Sequence, residues 1–231
     1  MNDGQLSRQQ ASDAVGDIGW RFLLGTLRTS VRVRSLAQAA EVAIHAVAAA
    51  GPTADDHLRI DIRHDRVVLA LQSLQIAALT DHDVELAHRI SVTVAAFGLR
   101  TEPEVGDQTG RSVQLLEIAV DALDIAAIRP FWKAVLGYAD EPGHTGPEDP
   151  VVDPVGQGPA LWFQQMDAPR PQRNRIHFDL CVPHDEAAAR IQAALDAGGE
   201  LCSADRAPAF WILADAEGNE VCITTWQGRD P

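Results

Sequence analysis

Two spacings of apolar residues alternate along this chain, one helical and one of strand type. Gln5 to Val15 suits a short helix, with Ser7 or Ser12 near its start. Trp20 to Leu24 and Thr29 to Val33 read as two strands with a short connection. Leu36 to Ala50 predicts a long helix, with Ser35 placed to cap it and Gly51-Pro52 to close it. His57 to Ile62 and Arg66 to Leu71 alternate as a hairpin through Arg63-His64-Asp65. Thr80 opens a last helix in which Val84, Ala87, His88 and Ser91 recur at helical spacing. This order predicts an antiparallel four-stranded sheet with its helices on one face.

A break follows. Thr101 to Gly110 is polar, carries one Pro and two Gly, and has no periodicity. The expected division is a first domain over 1–100, a linker over 101–111 and a second domain over 112–231. The second half then repeats a pattern. Its first pass is a strand over Val113 to Val120, a helix from Asp124 to Leu136-Gly137, a Pro/Gly-rich stretch and a strand over Ala160 to Met166. Its second pass is a strand over Arg175 to Val182, a helix from Asp185 to Ala197-Gly198-Gly199, and strands over Ala209 to Ala214 and Glu220 to Trp226. The expected class is α+β, with a pair of βαβββ modules in the second half.

The strand Arg175 to Val182 carries the chemistry of the second half. Ile176, Phe178, Leu180 and Val182 share one face, and His177, Asp179 and Cys181 share the other. Gly218-Asn219 is a turn signal, and Glu220, Cys222 and Thr224 share a face of the strand that follows. If the two strands pair with their polar faces aligned, His177 and Glu220 meet.

Charge narrows the partners. The net charge is −14, and 106–231 carries most of it, with 9 basic and 20 acidic residues against 10 and 13 before. Such a chain repels phosphate backbones, so nucleic acid and anionic membranes are poor partners. Three cysteines, Cys181, Cys202 and Cys222, do not make a disulfide framework and suit reduced, cytoplasmic thiols. No apolar run reaches the length of a membrane span, and no basic-then-apolar start marks a signal peptide.

Landmarks in the first half resemble the pterin-4a-carbinolamine dehydratase family over residues 5–99. They are Leu6-Ser7, Gly19-Trp20, Ala40-Glu41, Ile60 to Arg63 and Leu79-Thr80 with Asp83. That family dehydrates a hydroxylated pterin using an H-H-P segment and a third histidine. Here those positions fall on Asp56, His57 and Leu58, and the third falls on Leu74. His57 and the matching acid Asp83 are the remaining catalytic candidates. Losing imidazoles removes proton donors and acceptors, so a catalytically quiet domain is expected. His45, His64, His82 and His88 are expected to be solvated.

In the second half, Phe131-Trp132 with Val135 to Tyr138, Asn174 to Leu180, and Asp215 with Gly218 to Glu220 resemble the glyoxalase-like vicinal oxygen chelate superfamily. That resemblance implies metal ligands on the first and last strand of each module. The second module supplies His177 and Glu220, N and O donors for a divalent ion such as Zn, Ni, Mn or Fe. In the first module Leu115 stands where a ligand is often found. Gln164, or alternatively Gln165, offers a donor on its closing strand. Glu117 is a third ligand, a general base, or the acidic floor of a metal-free pocket in which His177 bonds Asp179 or Glu220. Asp179, Trp162 and Trp211 are expected to line the pocket, and Arg175 to clamp an anion or stand solvated at a strand end.

Three functions remain open at this point. One is a metal-dependent lyase or isomerase acting on a small molecule. Another is a drug-sequestering binding protein. In the third, the first domain retains dehydratase or pterin-binding activity or regulates the second. Both resemblances imply a homodimer.

Overall fold

The computed structural model describes residues 6–104, 112–169 and 176–228 and divides into two units, Met1–Leu115 and Leu116–Pro231.

In the first unit the helices α1 (Arg8–Val15), α2 (Leu36–Ala50), the single turn α3 (Ala54–His57) and α4 (Asp81–Ala96) accompany strands β1 (Arg21–Leu23), β2 (Thr26–Arg32), β3 (Leu58–Ile62) and β4 (Arg66–Leu71). The strands pair antiparallel in the order β1-β2-β4-β3. Alternation along β2 and β4 buries Leu27, Val31, Val67, Leu69 and Leu71 against Ala39, Val42 and Ala46 of α2 and Leu86, Ile90 and Val94 of α4. Each fully buried large aliphatic contributes about 1.5–3 kcal/mol. Ser7 and Ser35 cap their helices by accepting from Gln10 N and Gln38 N, which pins both starts where local chemistry demands.

Two details differ from expectation. β2 begins three residues early, because the chain reverses at Leu24-Gly25, both at positive φ. A short fifth strand, β5 (Thr101–Glu102), lies in what reads as linker and pairs antiparallel with Ser30 and Val31. Thr101 Oγ1 donates to the Ile18 carbonyl at 2.7 Å. The Thr101 carbonyl passes so close to Gly19 that a Cβ there would collide with it, and Gly19 also sits at φ +80°.

The second unit contains β6 (Glu117–Ala122), α5 (Ile125–Leu136), β7 (Ala139–Asp140), β8 (Val151–Val152) and β9 (Ala160–Gln165), then β10 (Phe178–Cys181), α6 (Ala187–Asp196), β11 (Glu200–Ser203), β12 (Phe210–Ala214) and β13 (Glu220–Thr224). Each module is thus β, α, β, β, β. The sheets run β6-β9-β8-β7 and β10-β13-β12-β11, so in each the first strand lies parallel beside the last. The repeat legible in the sequence is therefore a repeat of topology. The first strand starts at Glu117 rather than Val113, which leaves Leu115 outside it.

One core serves both modules. Val120, Ala122, Leu161 and Phe163 from the first sheet meet Leu213, Val221 and Ile223 from the second, beneath Phe131, Trp132 and Val135 of α5 and Ala187 and Ala194 of α6. Trp132 donates to Asp215 Oδ2 at 2.8 Å, and Asp215 also accepts from Glu217 N, Asn219 N and Asn219 Nδ2. The helix of one module is thereby fastened to the last turn of the other. Asp140 receives Lys133 Nζ at 2.7 Å and Arg129 Nη2 at 2.6 Å, and these hydrogen bonds, Lys133 first, hold its carboxyl below the ordinary range. Among the described residues no helix is long and apolar enough to cross a membrane.

Candidate functional site

The apolar faces of both sheets in the second unit are spent on the shared core, which leaves their other faces for chemistry. In the parallel β10–β13 pair, Asp179 stands opposite Cys222 and Cys181 opposite Thr224, on the side away from Val221 and Ile223. His177 lies just before β10. One ligand atom each from His177, Asp179 and Cys222 falls within 4.8 Å of the others. His177 Nε2 is 3.7 Å from Asp179 Oδ1. His177 and Asp179 are exposed, whereas Cys222 is buried beneath them.

Glu220 is not a member of this group. It is half-buried on the same face of β13 as Cys222, opposite Ala214 of β12. Its carboxylate, with that of Glu200, adds to the effect of burial in raising the Cys202 thiol above its ordinary value. His177 itself lies just outside the ladder, and the group it joins is that of Asp179 and Cys222.

In the first sheet, Glu117, Trp162 and Gln164 do share the face opposite Leu161 and Phe163. Glu117 and Gln164 are exposed and Trp162 is half-buried. Gln164 Nε2 makes only a 3.3 Å contact with the Gln165 carbonyl, whereas Gln165 Nε2 donates to the Leu123 and Met166 carbonyls at 2.9 and 3.0 Å. Of the two glutamines, Gln164 is the one able to meet a ligand.

Trp211 is a correction. It pairs with Ile223, shares its parity with Leu213 and packs on the core, so the polar face of β12 presents Phe210 and Ile212 instead. Alternation showed that β12 has two faces but not which one turns inward. Arg175 and Asn174 lie outside the described residues.

The first unit assembles a second constellation. His57 Nδ1 is 2.8 Å from Asp83 Oδ1, and Asp83 is fully buried. The other carboxylate oxygen accepts from Thr80 N and Thr80 Oγ1, both at 2.8 Å. With a carboxylate as acceptor, the Nδ1–H donates to Asp83, which leaves Nε2 as the ring nitrogen able to exchange a proton. His82, expected to be solvated, stays partly exposed but has partners: its ring meets His57 edge-on at 4.9 Å and its Nε2 lies 3.0 Å from Thr53 Oγ1. Two imidazoles thus stand together where the sequence showed one. Leu74 is half-buried nearby, its N–H donating to the Asp56 carbonyl at 2.9 Å.

Comparisons with known proteins give a match in each half of the chain. Residues 4–93 match the pterin 4 alpha carbinolamine dehydratase family and residues 117–224 match the glyoxalase-like domain. The first unit thus resembles the dehydratases, and the second resembles the glyoxalase-like domains. No curated protein matches the sequence. Solved structures similar to the second unit include a glyoxalase/bleomycin resistance protein/dioxygenase family enzyme from Burkholderia phytofirmans PsJN (16% identity, 47% of this chain and 95% of that one, TM-score 0.39). A glyoxalase-related enzyme from Fulvimarina pelagi is 21% identical over 48% of this chain and 87% of its own, with a TM-score of 0.39. The fosfomycin resistance protein FosX from Listeria monocytogenes, solved with Mn(II), is 11% identical over 48% and 87%, with a TM-score of 0.38.

Proposed function

We propose that the second unit is a metal-assisted enzyme for a small, oxygen-bearing molecule, working on the polar face of β10 and β13. The observation that carries this reading is the convergence of His177, Asp179 and Cys222 within 4.8 Å. Two ligands of a tetrahedral divalent ion stand about 3.4 Å apart, given metal–ligand bonds of about 2.0–2.1 Å, so the 3.7 Å His177–Asp179 spacing is close to a ligand pair already. Three protein donors leave one position for substrate, as catalytic sites do. A divalent ion bound there supplies Lewis acidity toward a substrate oxygen.

The chain's own residues do the rest. His177 presents Nε2 to the ion. Trp162 offers a half-buried aromatic face to a flat or apolar substrate, and Glu117 and Gln164 on the same face supply a carboxylate and an amide. Glu117 is the residue assigned to move a proton. The same surface without an ion would only bind its ligand, which is the sequestering alternative.

Zinc titration of the full chain by calorimetry separates the two. Binding of about one ion per chain is expected, and His177→Ala should weaken it at least about tenfold through loss of a nitrogen donor. Undetectable zinc binding by the parent chain would leave the sequestering reading.

The His57–Asp83 pair, with His82 beside it, favours a second reading for the first unit. A carboxylate-oriented imidazole with a second imidazole edge-on is competent for acid–base dehydration of a carbinolamine-type substrate, which the sequence alone made doubtful.

A further inference from the structure

We propose that Cys222 is a thiolate ligand of this centre, which makes it a thiophilic N,O,S site in place of the nitrogen–carboxylate site that the sequence suggested. The inference rests on the metal-dependent reading above and goes beyond it by naming the donor that selects the ion.

Three observations carry it. The parallel register fixes Asp179 opposite Cys222, so sulfur and carboxylate are neighbours by backbone pairing rather than by side-chain chance. His177 has the same parity as Asp179 and completes the group within 4.8 Å. Glu220, the oxygen donor expected from sequence, is not among the three converging groups. The donors also differ in depth. Cys222 is 8% exposed and forms a floor from strand β13, while His177 and Asp179 stand exposed above it. An ion held there would take sulfur from the buried strand and its nitrogen and oxygen donors from the exposed His177 and Asp179.

Ligand chemistry then sets the preference. Thiolate and imidazole favour zinc, cobalt and nickel, whereas carboxylate, carbonyl and water suit manganese and magnesium. Binding replaces the Cys222 S–H bond by a metal–sulfur bond and passes the thiol proton to solvent, with no change in oxidation state.

Cobalt(II) reports the ligand directly. Added to reduced, chelator-free full-length protein, it should give a thiolate-to-cobalt charge-transfer band in the near ultraviolet. The band should saturate at about one ion per chain, in line with a single three-donor site. Cys222→Ser should abolish it, while Cys181→Ser and Cys202→Ser keep it. Should Cys222→Ser fail to fold, the parent chain still decides the question. Cobalt bound by the parent chain without the band means nitrogen and oxygen ligands alone, which overturns the thiolate assignment and leaves the metal reading standing. No cobalt bound at all overturns both, and a band that survives in Cys222→Ser assigns the sulfur elsewhere.

Discussion

Trp132→Ala is expected to cost the second unit about 3–5 kcal/mol, the range for truncating a large buried aromatic. Trp132 is 1% exposed at the centre of the core that both modules share, in edge contact with Phe131 and Phe178. Its removal also takes the indole N–H from Asp215, a carboxylate 3% exposed that orders the turn before β13. The damage should therefore reach β13 as well as α5. Hydrogen exchange read peptide by peptide checks this, because it reports each unit separately. Peptides from α5, β10 and β13 should lose protection by roughly a hundredfold to several thousandfold, with peptides from α2 and α4 unchanged. Trp132→Phe should cost only about 1–3 kcal/mol, leaving the ring volume largely in place and a carboxylate oxygen short of one donor.

Asp83→Ala carries the largest effect expected in the first unit, about 2–4 kcal/mol. Three donors lose their acceptor at once, namely Thr80 N, Thr80 Oγ1 and His57 Nδ1, and an unmet buried donor costs about 1–3 kcal/mol. Part of that returns because Thr80 lies at the start of α4 and water can reach it. The same substitution frees the His57 ring to rotate and exchange tautomers, so any acid–base activity should fall further than stability does. Urea unfolding followed through exchange of α2 and α4 peptides measures the first effect. Asp83→Asn, which keeps the shape and one acceptor oxygen, should recover part of it. A Leu or Val substitution at the half-buried His45 position is a poor control, since His45 stacks on Phe97 at 3.9 Å; Glu41, on the exposed side of α2, serves better.

Local chemistry accounts for what could be read in advance. Ser35 and Gly51 bound α2 because capping and a positive-φ closing residue act within one turn. The βαβββ repeat was legible because each module writes its helix with its own start and stop, Asp124 to Gly137 in the first. The shared landmark of the second half has a physical explanation: Trp132 and Asp215 are partners across 83 residues, and Gly218 at φ +84° lets the turn close beneath them.

What escaped was long-range. β5 is two residues long and exists only because Ser30 and Val31 lie beside it, so no periodicity could reveal it. His82 sits on a helix that is polar on that side, and its partners His57 and Thr53 come from the turn before β3. Trp211 was assigned to the wrong face because alternation is symmetric until a helix covers one side. Cys222 shares a strand face with Glu220 in the sequence, but only the register to Asp179 distinguishes it from a small buried hydrophobe. The one cue that pointed its way was parity with Glu220.

The most direct measurement of the central claim is the metal content of the full chain purified without chelator, set beside a His177→Ala, Asp179→Ala double variant. A divalent metal near one equivalent in the parent chain, lost in the variant with its exchange-protected core intact, is the predicted result. Equal metal in both proteins, or none in the parent even after incubation with zinc, nickel, manganese and iron, would contradict it.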